Sequence, residues 1–116
     1  MEVNSDWIER LRKVYPELEV LKEGGFSYIF IKDLILPDGV IPEKLDALLC
    51  IDRRDGYDSR LYVSEKIKEC DPSRNWNGNI VLMDKNWFAV SWKTQQGLTY
   101  IEMLMVHLKA FEKWEK

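Results

Sequence analysis

The chain has 116 residues, 46% hydrophobic and 32% charged, which fits one globular domain with a core of its own. Its net charge of −3 goes with scattered basic residues: Arg10, Arg12 and Lys13 in one place, Arg53 and Arg54 in another. That leaves no basic stripe for a nucleic acid backbone. No apolar run approaches the roughly 20 residues of a membrane span, and Met1 to Asp6 has no signal-peptide pattern. A cytoplasmic domain is expected, with Cys50 and Cys70 as reduced thiols. A single histidine and no paired-cysteine motif exclude a structural zinc site, and neither metal nor cofactor is expected.

In chain order, a first helix is expected from Asp6, with Glu9 completing a box-like capping signal. Trp7, Ile8, Leu11, Val14 and Tyr15 fall on one face at helical spacing, and Pro16 ends the run. Leu18 to Leu21 reads as a short strand, Gly24-Gly25 as a hairpin turn, and Phe26 to Ile31 as an inner strand apolar on both faces. Pro37-Asp38-Gly39 is a turn. Leu45 to Ile51 is a third strand, closed by the charged turn from Asp52 to Gly56, and Leu61-Tyr62-Val63 a short fourth. Residues 64 to 97 hold Pro72, Asn75, Asn77, Gly78, Asn79 and Gly97, and read as a long segment of weak regular structure. Such segments are usually functional or disordered, and Trp87 and Trp92 argue against disorder. The last helix starts at Thr99 with Glu102 in a capping box. Its apolar face runs through Tyr100, Met103, Leu104, Leu108, Ala110, Phe111 and Trp114.

Few residues offer chemistry. Cys50 lies in the apolar run Leu48-Leu49-Cys50-Ile51 and reads as a core residue. Cys70 lies between Glu69 and Asp71, whose carboxylates disfavour the nucleophilic thiolate. His107 falls on the apolar face of the last helix and reads as a hydrogen-bonded core histidine; facing a thiol, it would be a base. No serine-hydrolase motif, phosphate-binding glycine loop or HExxH is present.

The order helix, four-stranded meander, irregular crossing segment, helix resembles the ubiquitin-conjugating enzyme superfamily. Gly56-Tyr57-Asp58-Ser59 stands where that family carries its Y-P stretch. The run from Cys70 to Leu82 aligns without a gap: Pro72 matches the proline of H-P-N, Asn77-Gly78 the N-G pair, and Ile80 and Leu82 the residues flanking the nucleophile. Trp92 and Leu98-Thr99 resemble the downstream W and L-T, and Leu36 to Gly39 resembles a turn of some bacterial members. The departures fall on the chemistry: Asp71 replaces histidine, Ser73 replaces the asparagine credited with oxyanion support, and Val81 replaces the cysteine. Valine has no electron pair to donate, and thioester transfer also needs a preorganised amide donor.

The resemblance implies a single α+β domain over residues 1–116, similar to the conjugating-enzyme fold. It also implies a non-catalytic adaptor that binds a ubiquitin-like protein or an activating enzyme. Two alternatives stand beside it: an active, divergent conjugating enzyme carrying its thioester on Cys70, and an unrelated small binding or regulatory domain. The oligomeric state and the partner's identity are not encoded in any motif.

Overall fold

The computed structural model describes residues 3–54, 56–67, 76–90, 92 and 94–111. Its first element is helix α1 (Ser5–Arg12). The cap is Asn4, whose side chain accepts from the Trp7 amide at 3.1 Å; Asp6, expected in that role, sits inside the first turn, where a carboxylate suits the helix dipole. Ile8 and Leu11 are its buried residues.

Strands β1 (Glu19–Glu23) and β2 (Phe26–Ile35) form a hairpin around Gly24 and Gly25, both at positive φ. That backbone is free of Cβ strain only for glycine. β2 runs past Ile31 through a bulge to Ile35. Asp33 takes φ 54° at the bulge, where its amide donates to the Asp46 carboxylate at 3.0 Å. β3 (Lys44–Cys50) pairs with β2, and β4 (Arg60–Val63) with β3. β5 (Trp76–Leu82) and β6 (Lys85–Val90) form a second hairpin, joined to β4 through Val63 opposite Phe88. The chain closes on α2 (Tyr100–Lys109), started by a reciprocal capping box between Thr99 and Glu102. The sheet order is β1-β2-β3-β4-β6-β5, antiparallel throughout.

This corrects the expected architecture, the conjugating-enzyme-like domain with four strands and an irregular crossing segment. Among the described residues the sheet has six strands, because residues 76–90 are a hairpin. Asn77, Gly78 and Asn79 look like a turn in the sequence, yet they lie in β5. Asn79 takes φ 57°, and the register shifts between Asn77 and Ile80. The true turn is Met83-Asp84, at φ 52° and 62° between the paired Leu82 and Lys85. Two positive φ values in a two-residue loop mark a type I′ turn, which Asn-Gly would announce and Met-Asp does not.

The sheet buries both faces. On one, Ile29, Ile31, Ala47, Leu49, Leu61 and Val63 join Ile8 and Leu11 of α1 and Leu104 of α2 in a common core with Phe111. The Trp7 ring meets Tyr100 edge-on at 5.2 Å, and the Tyr100 hydroxyl accepts from the Asn4 amide, so the two helix starts hold each other. On the other face, Tyr28, Leu48, Cys50 and Tyr62 pack with Leu82, Trp87 and Ala89. The second hairpin supplies that cover. It leaves β4 after one ladder pair and crosses the sheet until the Met83 amide donates to the Glu23 carboxylate at 3.0 Å. Trp87, buried, donates its indole N–H to the Leu82 carbonyl. Burying a side chain of this size contributes roughly 2 kcal/mol or more.

Candidate functional site

The motif positions do not converge on a catalytic cleft. Tyr57 belongs to the β3–β4 connection, where it exchanges two 2.9 Å backbone hydrogen bonds with Arg54 across Gly56. Its ring lies 4.6 Å from the Arg60 guanidinium. Asn77, Gly78 and Val81 share β5, an outer strand of the sheet. Val81 is 65% exposed. A Cβ on Gly78 would meet the Phe88 ring at 3.1 Å, so glycine serves close packing there. Cys70, Asp71, Pro72 and Ser73 lie outside the described residues.

Two candidates for nucleophilic chemistry, Cys50 and Ser59 beside His107, are placed deep in the fold, and both are closed off. Cys50 is fully buried, its thiol directed at the Asp52 carbonyl. Ser59 and His107 form the second. The Ser59 hydroxyl lies 2.9 Å from His107 Nε2 and 2.8 Å from the Thr94 hydroxyl. Burial holds the His107 pKa down to about 4; the nearby Arg60 charge acts the same way and a hydrogen bond to Ser59 opposes it. A neutral imidazole beside a hydroxyl is base-and-nucleophile geometry. Here Ser59 and His107 are 1% and 2% exposed, so no acyl group reaches the oxygen. The pair instead ties α2 to the β3–β4 connection. The sequence showed a histidine on an apolar helix face, which demands a partner, but no spacing pointed to Ser59, 48 residues away.

The outer surface offers a different feature. A cavity of about 360 Å³ opens between the turn after α1 and the far end of β2, lined by Val14, Tyr15, Pro16, Leu18, Ile31 and Ile35, with Glu17, Lys32 and Asp33 around it. Val14 is 53% and Ile35 73% exposed, large apolar residues left open to solvent on one groove. Burial raises the Tyr15 pKa. Sequence reasoning missed this groove because it ended β2 at Ile31 and kept Val14 on the buried helix face. α1 in fact stops at Arg12, and the bulge at Asp33 lets β2 continue. A smaller cavity, about 240 Å³, lies between β1 and the second hairpin beside Leu21, Phe30, Leu48, Met83 and Trp87.

Among the described residues no cluster of three His, Cys, Asp or Glu side chains gathers to hold a metal. Among them, too, no helix is long and apolar enough to cross a membrane. Comparison with protein-family models, with curated proteins and with solved structures returns no match.

Proposed function

We propose that this domain is a non-catalytic binding module for a protein partner, docking it at the groove between α1 and β2. The observation that carries the reading is the pair Val14 and Ile35, held in solvent on a concave, mostly apolar surface with a charged border. An apolar centre with a polar rim is the composition of protein-docking surfaces. The burial of Cys50 and of the Ser59–His107 pair supports the non-catalytic half. The likeness of residues 70–82 to conjugating-enzyme sequences makes a ubiquitin-like protein the partner class to present first.

The docking half is tested with tagged wild type and Ile35→Glu as parallel baits in the native host. A partner held by wild type and lost by Ile35→Glu is expected; an identical set on both baits rejects the groove. The non-catalytic half is tested by mixing the protein with a ubiquitin-like protein, its activating enzyme and ATP. No reductant-sensitive adduct should form. An adduct abolished by Cys70→Ser would return the enzyme reading.

A further inference from the structure

A further cavity, about 390 Å³, opens where the β3–β4 connection meets the loop before α2. Ile51 and Met103, both buried, supply its apolar lining, and Arg53, Asp58, Gln95 and Gln96 its polar lining. Its volume lies at the small end of the range of small-molecule sites, roughly 300–1,000 Å³. The frame is fixed on both sides. Arg53 and Asp58 flank the Arg54–Tyr57 pair of backbone hydrogen bonds, which sets them opposite each other, and Arg53 Nη1 donates to Asp58 Oδ1 at 2.8 Å. Ser59 and Thr94, next in the chain to Asp58 and Gln95, share a 2.8 Å hydrogen bond that ties the connection to the loop. Gly97, at φ 86°, then turns the chain into the Thr99 cap of α2, the helix that carries Met103. The Arg53 and Asp58 side chains are 62% and 24% exposed, and an ion pair this open to solvent holds weakly and yields to a competitor. It is also single-pronged. Asp58 Oδ2 and the remaining Arg53 N–H groups make no hydrogen bond among the described residues, although a guanidinium and a carboxylate each accommodate several.

We propose that this cavity binds a free α-amino acid with an apolar side chain. The α-carboxylate takes two N–H groups of Arg53 side by side, the bidentate geometry that Arg favours, and the α-ammonium donates to Asp58 Oδ2. The two ligand charges sit on one carbon and the two protein charges 2.8 Å apart, so one small molecule meets both at once. Arg53 and Asp58 are neutral together, and a zwitterion leaves them so. A lone carboxylate or a lone ammonium would strand one charge. The ligand's side chain lies on Ile51 and Met103, and a thioether adapts to branched, straight or aromatic shapes. Gln95 and Gln96 each bring an amide that both donates and accepts at the polar end of the ligand. The site shares no lining residue with the α1–β2 groove and does not depend on it.

The test is thermal unfolding of the intact chain at constant ionic strength with L-leucine, L-methionine or L-phenylalanine. At least one should give a saturable rise in Tm, roughly 5 °C at tenfold excess over half-saturation. The N-acetyl derivative and the methyl ester of that amino acid each remove one charge and should give no rise at the same concentration. Glycine keeps both charges and loses the side chain, and should need roughly tenfold more. Arg53→Gln and Asp58→Asn should each raise the half-saturating concentration about tenfold. Both side chains reach solvent, so both variants should fold; if one does not, the other decides. No saturable rise with any of the three, an equal rise with the acetylated or esterified form, glycine as potent as the larger amino acid, or unchanged affinity in the variants overturns the proposal.

Discussion

His107 lies where a titratable group has consequences for the whole chain. Its folded pKa, about 4, sits below the ordinary value of 6.5. Below pH 6.5 the unfolded chain takes up a proton that the folded chain refuses, so the stability present at neutral pH is lost as pH falls from 6.5 toward 4 and then levels off. That shift corresponds to about 3 kcal/mol. Urea midpoints for wild type should fall over this window, and His107→Gln should flatten that part of the profile. Cys50 gives a second check. Its thiol is buried and hydrogen-bonded in β3, and reactivity requires access and thiolate character. Native protein should therefore show at most one fast-labelling thiol with a small disulfide reagent, and the unfolded chain two.

Each end of the second hairpin has its own physical control. Phe111, 1% exposed just after α2, stacks on Trp76 of β5 at 5.8 Å with an interplanar angle of 12°. Phe111→Ala should cost about 3–5 kcal/mol and sharply lower the denaturant midpoint; Trp114, also expected to pack α2 onto the sheet, lies outside the described residues. At the turn, Asp84 holds φ 62°, a backbone that costs an L-residue energy and glycine none. Asp84→Gly should raise stability by roughly 0.5 kcal/mol, since glycine is favoured at that position of a type I′ turn. Calorimetry of the two variants reads both effects. The same hairpin marks where sequence reading stopped. Thr99 and Glu102 announced α2 by local chemistry, and Gly24-Gly25 announced the first hairpin. Met83-Asp84 carries no turn signal, and Asn77-Gly78-Asn79 carries a false one, so a strand pair was read as irregular chain. Val14 and Ile35 were hidden for a related reason: a bulge and an early helix end are set by tertiary pairing, not by residue periodicity.

At the scale of the molecule, one sheet carries two cores. The helices cover one face and the second hairpin covers the other, Cys50 lies in the core beneath the hairpin, and Ser59 and His107 are buried as well. The groove at the end of α1 and the bulged half of β2 stays open beside this cover and is the basis for proposing a binding domain. Mixed apolar and charged borders of this kind exclude water from a small contact centre and leave the rim to set specificity. Amide hydrogen exchange of the chain alone and with its captured partner tests that claim most directly. Protection is expected over residues 14–18 and 31–35, with β5 unchanged. Protection confined to residues 76–82, or none in the groove, would contradict it.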